Sequence, residues 1–391
     1  MDEQPPQDDD LGVDTLLQHL GEEQHYAGAV VQPLFQNSLF VFERCADLER
    51  ALRSEVEPFA YTRISNPTTA LAEKKIAALE GTEACRLFAS GMGAISAAVL
   101  STVRAGSHVV CTNAAYGPTK SFLLEYLPKF DVQTTLVDGT DVHAVEAAIQ
   151  GNTELLYLET PGSVTFAIQD LEAMVKMARR HGITTICDNS TVTPVFQRPA
   201  SFGVDLVVHS ATKYLSGHSD VVAGCVCGSR ERIHALTWSE GQYLGASIDP
   251  FAAWLLTRSL RTLPIRMQRH QRSATEVALF LQGHPAVEVV NYPGLADHPA
   301  CALIEKQMAG ASGMLSFRLV DGTKESAFAF CESLRLFQIG VSWGGHESLA
   351  IPIPPSDGDT WVIRLSIGLE AAPDLIADLR RALDAVAGQG H

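Results

Sequence analysis

The chain is short of positive charge. Forty-five acidic residues face 29 lysines and arginines, leaving a formal charge of −16, and only eight of the cations are lysines. Phosphate backbones are held by clustered Lys and Arg, so nucleic acid is excluded as a partner. No apolar run is long enough to span a bilayer. The first ten residues, Met1 to Asp10, carry Asp8-Asp9-Asp10 where a secretory leader has a basic stretch and an apolar core. They read as a disordered tail. No membrane partner is expected, and the cytoplasm is the expected compartment. The eight cysteines are scattered. No Cys/His group has the spacing of zinc ligands, so no metal is expected. Cys225-x-Cys227, in the apolar run Val221 to Gly228, reads as a pair of small buried side chains.

The 391 residues, 46% apolar and 19% charged, are enough for two or more packed units. Short apolar runs alternate with helical spacing along the first two thirds. Ala84 to Phe88, His108 to Cys111, Val132 to Val137, Leu155 to Glu159, Thr184 to Cys187 and Leu206 to Val208 read as strands. Thr69 to Leu79, Ala94 to Val103, Thr119 to Leu127, Val142 to Ile149 and Leu171 to His181 read as helices. This alternation predicts an α/β fold: a mainly parallel sheet with helices on both faces. After Gly228 the pattern changes to Arg- and Leu-rich helices, strands at Gly313 to Leu319 and Val362 to Ile367, and a closing amphipathic helix, Asp374 to Val386. That part predicts a smaller α+β unit. The expected divisions are an N-terminal arm, 1–62, a large domain, 63–255, and a C-terminal domain, 256–391.

The stretch Asp205 to His218 organises the rest. A buried strand ends in hydroxyl residues and one lysine, Lys213. Ligands in open α/β sheets bind beyond the carboxyl ends of strands. A lysine there, partly desolvated, holds a neutral amine that attacks carbonyls. Ser210 and Thr212 flank it with hydroxyls suited to a phosphate. Ser90-Gly91-Met92 opens a helix, whose free N–H groups and positive dipole end suit an anion. Asp188 closes another strand, where a carboxylate needs a cation or donors. Together these parts suit pyridoxal phosphate: its aldehyde on Lys213, its phosphate on Gly91, Met92, Ser210 and Thr212, its ring nitrogen on Asp188. Tyr116 would stack on the ring, and Arg364 would hold a substrate carboxylate by two prongs. His218 and His346 read as hydrogen-bonding residues.

These motifs resemble the trans-sulfuration family of pyridoxal-phosphate enzymes of cysteine and methionine metabolism. The likeness runs from about Gly28 to the C-terminal helix. It is carried by Tyr61-x-Arg63-x-x-Asn66-Pro67-Thr68, Ser90-Gly91-Met92, Tyr116-Gly117, Asp188-Asn189-Ser190, Ser210-Ala211-Thr212-Lys213-Tyr214-x-x-Gly217-His218 and Arg364-Leu365-Ser366-Ile367-Gly368-Leu369-Glu370. The resemblance implies the type I aminotransferase-like fold, with a seven-stranded-type sheet. It implies a homotetramer built as a dimer of dimers, in which Tyr61 and Arg63 reach the neighbouring subunit's phosphate.

Within the family, Ser163 and Trp343 look like the bacterial cystathionine β-lyases, whereas the Tyr61 to Thr68 loop looks like the γ-synthases and γ-lyases. Val341 precedes Ser342 where γ-acting members often carry an acid for a distal ammonium. Pro118 stands where methionine γ-lyases have cysteine. The resemblance thus implies a cystathionine β-lyase-like enzyme. Lys213 and Tyr116 would perform α,β-elimination of an amino-acid thioether to thiol, pyruvate and ammonia, with Arg364, Ser342, Trp343 and Ser163 holding the substrate. The alternative is γ-elimination or γ-replacement, as in cystathionine γ-synthase, γ-lyase or O-acylhomoserine sulfhydrylase. A further alternative is a non-catalytic regulatory protein that keeps the fold.

Overall fold

The computed structural model describes residues 11–53, 58–355 and 360–387; the acidic tail 1–10 lies outside them. Seven short apolar runs form strands β1 (Ala84–Phe88), β2 (His108–Thr112), β3 (Gln133–Val137), β4 (Thr153–Glu159), β5 (Thr184–Asp188), β6 (Leu206–His209) and β7 (Gly224–Gly228). They make one sheet in the order β1-β7-β6-β5-β4-β2-β3. All neighbours are parallel except β7, which runs antiparallel to both β1 and β6. The interior strands are buried along nearly their whole length, as a sheet covered on both faces requires.

Local chemistry sets the helix starts. Asn66 accepts the Thr68 N–H at 2.8 Å and Pro67 follows, which begins the helix Pro67–Glu80. Ser90 caps the helix Gly91–Leu100 by accepting the Gly93 N–H at 2.9 Å. Asp170 caps Leu171–His181, whose buried stripe is Leu171, Met174, Val175, Met177 and Ala178 and whose last turn is basic. Beyond the first turn of Thr119–Leu127 the helix widens into a π turn, Phe122–Tyr126, and tightens at Leu127–Phe130.

A second sheet follows: β8 (Val287–Asn291), β9 (Met314–Leu319), β10 (Gln338–Ile339), β11 (Leu349–Ile353) and β12 (Val362–Ser366), in the order β10-β11-β12-β9-β8. Strand β11 contains Pro352, which reads from sequence as a breaker. The ladder explains why it is accepted: β10 pairs only Leu349 and Ala350, so Pro352 pairs on one side alone, with Ile363 of β12. The long helix Leu263–Gln282 joins the two halves. Its first turns, Leu263 and Met267, sit in the core of the large sheet; Ala274, Val277, Ala278 and Leu281 sit in that of the small one. Tyr214 closes the seam. Its hydroxyl accepts the Gly313 N–H at 2.9 Å and its ring lies 5.0 Å from that of His270. Among the described residues no helix is long and apolar enough to cross a membrane.

Candidate active site

Lys213 follows β6 and sits beside that seam. Its Nζ donates to the Ser342 hydroxyl and lies 5.3 Å from the centre of the Trp343 ring. Burial, and then the Arg364 guanidinium, pull the ammonium down from 10.5 to about 8, while Asp188 acts the other way. A large share of the amine is therefore neutral just above physiological pH, as a carbonyl-directed nucleophile needs.

The loop that supplies Ser342 is pressed onto the lysine. Ser342 has φ +78° and Gly344 has φ +83°. A Cβ on Gly344 would stand 2.8 Å from the Tyr214 nitrogen and 3.3 Å from the Lys213 Cα, so only glycine permits this approach. Arg364, on β12, donates to the Ser342 carbonyl at 3.3 Å. Burial lowers its pKa and the Tyr116 side chain opposes that. Trp343 packs against Tyr214, with ring centres 5.5 Å apart.

Asp188 ends β5 and is buried, 6% exposed. It accepts from the Ser190 N–H at 2.9 Å and the Ser190 hydroxyl at 2.6 Å. Burial still raises its pKa; the Ser190 bonds, His209 and Lys213 pull the other way. Beside it in the sheet register stands Glu159, the end of β4. Glu159 accepts the Tyr116 N–H at 2.7 Å. Burial and then the Asp188 charge push its pKa well up, against the Tyr116 N–H and the Ser163 hydroxyl. Two buried carboxyls side by side oppose each other's ionisation, and a cationic group held beside them would relieve that.

The anion end lies across from it. A Cβ on Gly91 would meet Ser210 Oγ at 2.6 Å and Ser210 Cβ at 2.9 Å. The Gly91 and Met92 N–H groups and the Ser210 hydroxyl have no hydrogen-bond partner among the described residues. Thr212 differs from Ser210. Its hydroxyl donates to the Ala223 carbonyl and accepts the Ala223 N–H, both at 3.0 Å, so its proton is committed inside the chain. A hard anion would find free N–H groups and one free hydroxyl here, a cationic ring would find Asp188, and an aldehyde would find Lys213. The donor set fits pyridoxal phosphate at all three points.

The structure therefore brings together Lys213, Asp188, Ser90, Gly91, Met92, Ser210, Thr212, Tyr116, Arg364, Ser342, Trp343 and Ser163. Tyr61 and Arg63 are elsewhere in the chain. They pack on each other, the Arg63 guanidinium 5.3 Å from the Tyr61 ring centre, with Tyr61 45% exposed. No contact joins them to Lys213 among the described residues.

Reading the sequence missed Glu159, whose only signal is that a carboxylate ends a buried strand. It also missed the pair His209 and Glu80. Cys85 was missed as well: β1 lies beside β7, and the sulfurs of Cys85, Cys225 and Cys227 all lie within 4.8 Å of one another, fully buried. His218 hydrogen-bonds the Ser216 carbonyl at 2.7 Å and Ser259 at 3.1 Å.

A profile of the family "Cys/Met metabolism PLP-dependent enzyme" matches residues 14–384. The chain is 40% identical over 390 residues to an L-methionine gamma-lyase of Porphyromonas gingivalis, covering 96% of this chain and 98% of that one. It is 36% identical to the cystathionine gamma-lyase of Homo sapiens, covering 94% and 92%. Among solved structures, metB from Corynebacterium glutamicum superposes with a TM-score of 0.91 at 34% identity, over 97% of this chain and all of that one. A putative O-acetylhomoserine (thiol)-lyase (metY) from Campylobacter jejuni gives 0.90 at 30%, over 96% of this chain and 100% of that one, and carries a pyridoxyl-lysine phosphate. The expectation of a nearest likeness to cystathionine β-lyases is corrected here. The two enzymes matched by sequence bear γ-lyase names and neither solved structure is called a β-lyase, whereas the expectation stood on two side chains, Ser163 and Trp343. By the span of the profile and these identities, the chain belongs to the Cys/Met metabolism family of pyridoxal-phosphate-dependent enzymes.

Proposed function

We propose that the chain is a carbon–sulfur lyase that breaks the Cγ–S bond of an apolar amino-acid thioether such as methionine. The observation that carries this is the cluster Lys213–Ser342–Arg364, with Tyr116 beside Arg364 and the uncharged Val341 next to Ser342. When bound, pyridoxal phosphate supplies an electron sink for negative charge at the substrate α-carbon. Lys213 is the residue to bond its aldehyde; Gly91, Met92 and Ser210 are the phosphate donors; Asp188 is the ring-nitrogen partner.

Arg364 orients the substrate by its carboxylate. The neutral Lys213 amine would take the α-proton, hand it on to the imine carbon that the cofactor supplies and, neutral again, take a β-proton; Ser342 Oγ holds Nζ on that side. Tyr116 gives a proton to the sulfur as the Cγ–S bond breaks. Methionine and water yield methanethiol, 2-oxobutyrate and ammonia. Val341, 77% exposed beside this cluster, presents no charge for a distal ammonium. That supports an uncharged thioether over cystathionine.

In the arm, Val30 and Val41 are 83% and 88% exposed. Apolar exposure of this kind supports burial against a second copy, with Tyr61 and Arg63 reaching that copy's phosphate and two such dimers forming the tetramer. All eight cysteines are free, in keeping with a cytoplasmic enzyme.

The test is the keto-acid product. Purified protein given L-methionine or L-cystathionine should release 2-oxobutyrate, most from methionine; L-cysteine, which has no Cγ and can give only pyruvate, is the β-elimination control. Pyruvate as the main product, or no keto acid from methionine, would sink the proposal; pyruvate from cystathionine would restore the β-lyase reading.

A further inference from the structure

Where β6 ends, Glu80 and His209 form a fully buried pair. Glu80 ends the helix Pro67–Glu80 and His209 ends β6. His209 Nε2 lies 2.8 Å from Glu80 Oε2, and both side chains are 0% exposed. The same oxygen accepts from Asn189 Nδ2 at 3.3 Å. Two ends of the pair, Glu80 Oε1 and His209 Nδ1, are buried with no hydrogen-bond partner among the described residues. A buried charge pair with loose ends is costly for stability alone, so the pair calls for another account.

Its neighbours supply one. Asn189 and His209 are the residues that follow Asp188 and precede Ser210. Glu80 ties Asn189 to His209. The Ser210 N–H donates to Ser190 Oγ at 2.7 Å, and Ser190 Oγ donates to Asp188 at 2.6 Å. Asp188 is thus clamped between two stitches that join the ends of β5 and β6. Asn189 is locked further by donating to the Gln197 carbonyl at 2.8 Å.

The charges agree with the geometry. The groups facing His209 are Glu80 from the helix, Cys227 from β7 and Asp188 from β5. All favour its cationic form and outweigh burial, so its pKa is raised. Burial, above all, raises that of Glu80. Both directions favour a proton held by the pair across its 2.8 Å contact.

We propose that Glu80 and His209 are positioning residues for the cofactor's ring-nitrogen partner: the proton they hold sets a positive charge behind Asp188 and keeps its carboxylate ionised and aimed. This rests on the assignment of Asp188 to the ring nitrogen. An ionised Asp188 keeps the ring nitrogen protonated, which makes the nitrogen of the Lys213–cofactor bond less basic. The pair thereby sets the pH at which the bound cofactor changes colour.

Full-length holoenzyme carrying His209→Gln or Glu80→Gln tests this. Either change removes the positive charge, one directly and one by taking away its counter-ion. Both should shift the midpoint of the cofactor's pH-dependent absorbance upward, by about one pH unit. Both should weaken cofactor binding about tenfold or more, the usual loss when a second layer of partners is cut, measured by titrating cofactor-free protein. A merely structural pair would lower the melting temperature and leave the midpoint unmoved; that result, or shifts of opposite sign in the two variants, overturns the proposal. If His209→Gln does not fold, the near-isosteric Glu80→Gln decides alone. If neither folds, Glu80→Asp, which keeps the charge and retracts it, is scored by the same midpoint. A wild type that stays colourless with added cofactor overturns the assignment of Asp188 and this proposal together. A yellow wild type with unmoved variants overturns this one only.

Discussion

Lys213 should make the cofactor-free protein less stable than it would be without the charge. The fall of its pKa from 10.5 to about 8 corresponds to about 3 kcal/mol of work against the protonated amine. Solvent reaches part of the side chain and screens some of that. Lys213→Met keeps the unbranched shape and removes the charge. It also leaves the Ser342 hydroxyl without its donor, at a cost of about 1 kcal/mol. The net gain is about 1–2 kcal/mol, read as a rise of a few degrees in melting temperature. The pH dependence gives the sign. Below about pH 8 the amine is protonated in folded and unfolded chains alike, and the penalty is complete. Between about 8 and 10.5 the folded chain gives up the proton while the unfolded chain keeps it, so wild-type stability climbs with pH. Above 10.5 nothing is left to relieve. Thermal unfolding of cofactor-free wild type and Lys213→Met, scanned across this range, should show an advantage for the variant that is full at pH 7 and absent at the alkaline end. A variant less stable than wild type at pH 7, or an advantage that does not change with pH, refutes the reasoning.

Gly91→Ala drives a methyl group against Ser210 Oγ, Cβ and Cα, the last at 3.1 Å. Such crowding costs about 1–3 kcal/mol and should weaken cofactor binding about tenfold or more, by absorbance titration. Arg364→Lys keeps the charge but loses the planar fork; KM for methionine should rise at least about tenfold while the yellow colour is retained. Tyr116→Phe should lower kcat about 100-fold with cofactor binding intact, if proton delivery to sulfur is its task; unchanged turnover would remove Tyr116 from the mechanism.

Much of the site is legible in the linear sequence because its chemistry sits where secondary structure ends. Lys213 and Asp188 close buried strands, and Ser90 and Gly91 open a helix; each position is marked by a change of pattern. The large sheet is legible for the same reason, since its strands are continuous apolar runs. What is not legible depends on topology. Glu80 and His209 are 129 positions apart, and only the order β7-β6-β5 under the helix Pro67–Glu80 brings them together. Cys85 reaches Cys225 and Cys227 because β7 is inserted beside β1, against the chain direction of the rest. Glu159 looks like any strand-end acid until its register with Asp188 is known. Strand β11 was hidden by Pro352, which a one-sided ladder accepts. Tyr61 and Arg63 lie in a run without helix or strand period that only hints at an anion, and one chain gives them no contact with its own lysine among the described residues.

The seam at Tyr214 divides labour in a way that matters for diversification. Within one chain the residues proposed for the vitamin, Lys213, Asp188, Gly91, Met92 and Ser210, stand at the large sheet, whereas Ser342, Trp343 and Arg364 are delivered by the small one across the helix Leu263–Gln282. Grafting residues 340–349 from a homologue with different tastes would therefore recast which sulfur compound is accepted while the prosthetic group stays seated, so long as the glycine at 344 is kept. A lineage can explore new nutrients at that rim without rebuilding its chemistry from the floor up.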